Sequence, residues 1–126
     1  MAGLQILIVE DNEKNMKLFR DVLIASGHRT LEATTGGQAV EVAIAHSPDL
    51  VLMDIQLPDS GGVEALGRLR ADERTASLPV VALTAQAMDG DRERFLAAGF
   101  NGYVSKPVNV ADLIATVKQY CAGADQ

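Results

Sequence analysis

Residues Ile6 to Asn12 read ILIVEDN: four apolar side chains, mostly β-branched, run straight into two adjacent carboxylates, Glu10 and Asp11, and then a turn-former. Like charges side by side at the end of a buried strand repel one another and resist desolvation, so the pair calls for a compensating cation. The run is apolar on consecutive positions instead of alternating. That is the pattern of a strand covered on both faces, as in a parallel sheet.

Working outward, the same pattern recurs at Leu50 to Met53 and Val80 to Leu83, with weaker strand signals at Arg29 to Ala33 and Gly102 to Val104. Helix-period segments lie between. Met16, Phe19 and Leu23 share a face, as do Val40, Ala43 and Ile44, and Leu113, Ile114, Val117, Tyr120 and Cys121 trace a stripe near the end. Thr35 with Gln38 has capping-box spacing, and Asn109 is placed to cap the last helix. Gly27, Gly99 and the segment Pro58 to Gly62 punctuate the elements. The order is β-α repeated about five times, which predicts a single-domain, doubly wound α/β fold of flavodoxin-like type with a parallel five-stranded sheet in the order 2-1-3-4-5. The domain is expected over residues 1–122, with 123–126 a short loose tail and no room for a separate catalytic or DNA-binding domain.

Composition narrows the function. With 126 residues, 48% of them hydrophobic, the chain can bury a core of its own. A net charge of −6 and a pI near 4.7 argue against nucleic acid or anionic membrane as a partner, because both reward clustered Lys and Arg. Proteins, small molecules and metal ions remain. Cys121 is the single cysteine and has no partner for an internal disulfide. No signal-peptide pattern and no apolar segment approaching the roughly 18 residues of a membrane span is present, so a cytoplasmic location without membrane insertion is expected.

The strands share one further habit. Strand one ends in Glu10 and Asp11, strand three (DLVLMD) in Asp54, strand four (PVVALT) in Thr84, and strand five (NGYVSKP) in Lys106. In an open parallel sheet these C-terminal ends lie along one edge, where ligands bind at the switch in strand order. Singly, each residue has an ordinary explanation as a turn, a cap or a solvated charge. Together they bring carboxylates, a hydroxyl and an ammonium to one cleft. Carboxylates with no His or Cys beside them suit a hard cation such as Mg²⁺, which keeps several waters for an anionic substrate. Such a metal beside Lys106 and Thr84 makes a receptor for a phosphoryl group, and Asp54 on the central strand is the best-placed nucleophile to form an aspartyl phosphate.

At this point the chain resembles the receiver domains of two-component response regulators, from Leu4 to about Tyr120, on the strings VEDN, LVLMDIQLP, VVALTA and GYVSKP in that order. The resemblance implies that Asp54 is the phosphoacceptor, filled from a phosphohistidine on a sensor histidine kinase or histidine phosphotransfer protein. It assigns Mg²⁺ to Asp11, Asp54 and the backbone carbonyl of Gln56, with Glu10 acting through a coordinated water. Thr84 would be the switch hydroxyl, Lys106 would bind a phosphoryl oxygen with a cis peptide before Pro107, and Tyr103 would be the aromatic that responds when Thr84 moves. A face made by helix four, strand five and helix five would then signal to a downstream protein effector, the chain being a monomer or a phosphorylation-dependent weak dimer. Met88, Phe95 and Phe100 sit near that face but need no role beyond the core. The string VEDNEKNMKLF is most similar to stand-alone receivers of the DivK type, which act through protein contacts in bacterial cell polarity and division.

Gln56 and Gln86 stand two residues beyond Asp54 and Thr84, where receivers control the approach of water to the acyl phosphate. Neither is a strong general base, which predicts slow to moderate self-dephosphorylation. A haloacid dehalogenase phosphatase would need an acid where Gln56 stands, as well as a cap domain. A flavodoxin would need a phosphate-cradling Ser/Thr/Gly loop where this chain is acidic. A receiver excised from a hybrid histidine kinase and a phosphorylation-independent binding module are the remaining alternatives. His28 and His46 read as solvated residues near element ends, and Cys121 as core.

Overall fold

The computed structural model describes residues 3–57, 61–85 and 91–124, and at 91–92 and 121–124 only the backbone. Pro58, Gln86, Met88 and the side chain of Cys121 lie outside the described residues. The elements alternate: β1 (Gln5–Val9), α1 (Glu13–Ala25), β2 (Arg29–Ala33), α2 (Gly36–His46), β3 (Leu50–Asp54), α3 (Gly61–Ala71), β4 (Val80–Thr84), α4 (Asp91–Ala98), β5 (Gly102–Ser105) and α5 (Val110–Ala124). All strand pairs are parallel and the sheet order is β2-β1-β3-β4-β5. β3 and β4 are buried along their whole length, which is why they read as continuous apolar runs. β2 lies at an edge and keeps Arg29 and Glu32 exposed, which is why its signal was weak.

Alternate side chains of each strand feed two separate cores. Ile6, Ile8, Leu50, Leu52, Val81, Leu83 and Val104 pack against Met16, Phe19 and Leu23 of α1 and Leu113 and Val117 of α5. Leu7, Val9, Val51, Met53, Val80 and Ala82 pack on the other face against α2 and α3, with Phe95 of α4 and Phe100. The helices thus divide between the two faces, as right-handed crossovers at a doubly wound sheet require.

The helix starts follow their capping residues. Asn12 Oδ1 accepts the Asn15 N–H at 3.0 Å, and Asn109 Oδ1 accepts the Ala111 N–H at 2.8 Å. Thr35 Oγ1 accepts the Gln38 N–H at 3.1 Å, but the return bond differs from a standard capping box. Gln38 Oε1 reaches the N–H of Thr34 at 2.9 Å, one residue earlier than the cap. α5 runs to Ala124, so helix extends into the 123–126 segment expected as a loose tail. His28 also departs from its expected solvated role: its Nδ1 accepts the Leu4 N–H at 3.0 Å, and burial holds its pKa below the ordinary value. His46 is exposed.

Candidate functional site

The pairing register assembles the site. Val9 stands opposite Met53, so Glu10 falls beside Asp54 one step further along adjacent parallel strands. Thr84 stands opposite Ser105, and the Lys106 N–H donates to the Thr84 carbonyl at 2.7 Å, which brings the end of β5 to the end of β4. α3 begins tightly against β3: a Cβ on Gly62 would lie 2.4 Å from the Asp54 carbonyl oxygen, so only glycine permits this approach.

Glu10 and Asp54 are 1% and 5% exposed, an unusual burial for carboxylates, whereas Asp11 is exposed. Lys106 compensates them. Its Nζ donates to Glu10 Oε1 at 2.7 Å and to Asp54 Oδ2 at 2.8 Å. Asp54 Oδ1 accepts the Gln56 N–H at 3.0 Å, and Glu10 Oε2 accepts the Asn12 N–H at 3.2 Å. Burial raises the Glu10 carboxyl above its ordinary pKa; Asp54 adds to the rise and the Lys106 ammonium opposes it. Burial acts to lower the Lys106 pKa, but the bonds to Asp54 and Glu10 outweigh it and leave the ammonium above its ordinary value. It therefore stays charged at neutral pH.

Each of Glu10, Asp11 and Asp54 offers a carboxylate oxygen, and these atoms lie within 4.8 Å of one another. An all-oxygen donor set of this size, partly open to solvent at Asp11, fits a hard divalent cation that retains waters. Thr84 is buried at the edge of the same cleft. Lys106–Pro107 is a cis peptide bond. A groove of about 350 Å³ opens at Lys106, lined mainly by Leu18 and Phe19 of α1 with Ala85, Pro107 and Val108.

Tyr103 is half-buried on β5, with its ring centroid 5.7 Å from that of Phe95, and it borders two open depressions on the α4-β5-α5 face. The sequence pattern places Lys106 at a strand end near two others ending in acids, and it carries no further sign that one lysine bridges both carboxylates.

A parallel α/β sheet that gathers buried acids and a lysine at the ends of β1, β3 and β5 defines the receiver class of signalling domain. The chain belongs to the response regulator receiver domain family, whose family model matches residues 6–118. It is 49% identical, over 94% of this chain and 97% of the relative, to the polar-differentiation response regulator DivK of Brucella ovis. Among solved structures it resembles the receiver domain of sensor histidine kinase PA1611 from Pseudomonas aeruginosa, determined with a magnesium ion coordinated in the active site cleft. That match has a TM-score of 0.86 and 39% identity, covering 94% of this chain and 98% of that one. It also resembles the Saccharomyces cerevisiae co-crystal structure of the histidine phosphotransfer protein Ypd1 with the receiver domain of Ssk1. There the TM-score is 0.87 with 29% identity, covering 94% of this chain and 89% of that one. Among the described residues, no helix is long and apolar enough to cross a membrane.

Proposed function

We propose that the protein is a phosphoryl-accepting response regulator of DivK type, located in the cytoplasm, in which Asp54 is the phosphoacceptor. The observation that carries this reading is the Lys106 ammonium bridging buried Glu10 and Asp54, with Asp11 close by. Such a cluster holds the buried Asp54 carboxylate against an ammonium at the end of β3. The free ring nitrogen of a phosphohistidine takes a proton from solvent, a carboxylate oxygen of Asp54 attacks its phosphorus, the P–N bond breaks with its electron pair going to the ring nitrogen, and neutral imidazole leaves. Asp11, Asp54 and the backbone carbonyl of Gln56 would hold Mg²⁺, with Glu10 reaching it through water. When bound, the ion neutralises charge on the phosphoryl oxygens.

Lys106 turns from Glu10 and Asp54 to a phosphoryl oxygen, and Thr84 donates its hydroxyl to another. The groove beside Lys106, walled by Leu18, Phe19 and Val108, suits an apolar helix face of the kinase or phosphotransfer donor. Movement of Thr84 alters the packing behind it, which Tyr103 and the α4-β5-α5 face read out to a protein effector, as monomer or phosphorylation-dependent weak dimer. The DivK relatives support an effector concerned with cell polarity. The likeness to the PA1611 receiver supports a second parentage, a domain of a hybrid histidine kinase, with the same chemistry.

The test is intact mass after incubation with acetyl phosphate and Mg²⁺, beside Asp54→Asn and an EDTA control. A single phosphoryl adduct requiring both Asp54 and the metal is expected. With neutral Gln56 beside it and Gln86 beyond Thr84, the adduct is expected to outlast a timescale of seconds. No adduct on folded, Mg²⁺-bound protein would overturn the reading in favour of a phosphorylation-independent binding module.

A further inference from the structure

α4 is the shortest helix described, at 8 residues, and among its described side chains only Phe95 is buried. The Phe95 ring meets Phe100 edge-on with centroids 6.0 Å apart and stands against Tyr103. One aromatic knob fixes the position of a helix but not its direction. The second attachment lies at the C-terminal end, where Gly99 turns the chain at φ +112°.

There the guanidinium of Arg70, from α3, gathers three segments. Nε and Nη2 donate to the Gly99 carbonyl at 3.2 and 2.8 Å, and Nη1 donates to the carbonyls of Leu78 and Ala76 at 2.6 and 3.1 Å. Nη2 also donates to Asn101 Oδ1 at 3.0 Å, and that oxygen accepts the Val80 N–H at 2.9 Å. One rigid fork thus ties the exit of α4 to the entrances of β4 and β5. A lysine, with a single point of donation, cannot span Gly99 and Leu78 together.

We infer that Arg70 is the pivot of the response. It anchors the C-terminal end of α4, so that a rearrangement begun at Thr84 turns the helix about Gly99 and reaches Phe95 and Tyr103 instead of dissipating as a slide of the whole helix. Arg70 is a positioning residue at the sheet edge opposite Asp54 and takes no part in phosphoryl transfer. The inference rests on the phosphoswitch reading above.

The experiment is amide hydrogen exchange of the full chain by NMR, with Mg²⁺ alone and with Mg²⁺ and beryllofluoride as phosphoryl analogue. In the wild type, exchange changes at Phe95, Leu96 and Tyr103 while Gly99, Phe100 and Asn101 keep their protection. In Arg70→Lys, adduct formation from acetyl phosphate is unchanged. Its Tyr103 response falls about fivefold, the low end of ordinary coupling between sites, and Gly99 to Asn101 lose protection in both states. Asn101→Asp keeps both acceptor contacts and responds as the wild type does. A full Tyr103 response in Arg70→Lys overturns this inference alone, as does a wild-type change at Gly99 to Asn101 matching that at Phe95, which needs no variant. A wild type that takes no phosphoryl group, or shows no Tyr103 response, overturns both readings.

Discussion

At the strand starts, His28, Asp49 and Asn101 each stand immediately before a strand, and each accepts a main-chain N–H on the neighbouring strand's side. His28 takes that of Leu4, Asp49 that of Gln5 at 2.9 Å, and Asn101 that of Val80. At the strand ends, the side chains of Glu10, Asp54 and Lys106 chiefly engage one another, and among the described residues the main-chain groups they bind are the N–H of Asn12 and of Gln56, two residues downstream of the two acids. The first arrangement satisfies backbone groups that the sheet leaves unpaired, so it belongs to stability. The second concentrates charge where the backbone does not require it, and that costs desolvation with no return to the fold. Buried polar side chains that answer the main chain are structural; those that answer chiefly each other mark the chemistry.

The contrast breaks most visibly at Lys106. Lys106→Met leaves two buried carboxylates facing each other without a cation, and is expected to cost about 3 kcal/mol at neutral pH in the absence of divalent metal. Urea unfolding measures it, and millimolar Mg²⁺ is expected to recover part of the loss. A variant as stable as the wild type without metal would show that the strand-end cluster does not depend on ionic compensation. Phosphoryl adduct formation from acetyl phosphate is also expected to collapse in this variant.

At the opposite edge, Asn101→Ala removes one acceptor shared by the Val80 N–H and Arg70, and is expected to cost about 2 kcal/mol, the penalty of stranded donors. Here added Mg²⁺ should recover nothing, and phosphoryl uptake should proceed at the wild-type rate. A loss at Asn101 that Mg²⁺ repairs would erase the distinction between the two edges.

The two edges were unequally legible. β1, β3 and β4 are apolar at consecutive positions, and each ends in, or runs directly into, a polar residue, so periodicity alone exposed both the doubly wound sheet and the line of Glu10, Asp11, Asp54 and Thr84 along its edge. The strand-start acceptors left no comparable trace. His28 and Asn101 find partners 24 and 21 residues away in the chain, and no local pattern distinguishes them from loop residues. Arg70 was equally hidden, because an arginine in the last turn of a helix reads as a solvated charge until its carbonyl partners are in place. The shift of the Gln38 return bond to Thr34 depends on rotamers that spacing does not encode.

The smallest effect is the most discriminating, because it can be titrated. His28→Ala removes the acceptor of the Leu4 N–H and is expected to cost about 1 kcal/mol at slightly alkaline pH, where the imidazole is neutral. Burial lowers the pKa of His28 in the folded protein, so the unfolded chain takes up the proton first as the pH falls. The stability this group contributes is therefore complete above its unfolded pKa and is lost as pH falls through the depressed folded value. Protonation of Nδ1 would turn the acceptor into a donor facing another donor. The wild type thus approaches the variant on acidification, and the difference between their urea midpoints should shrink from about pH 7.5 to about pH 5. A difference constant over that range would mean that the ring acts by packing and not by accepting the Leu4 N–H, and His28 would leave the set of strand-start acceptors.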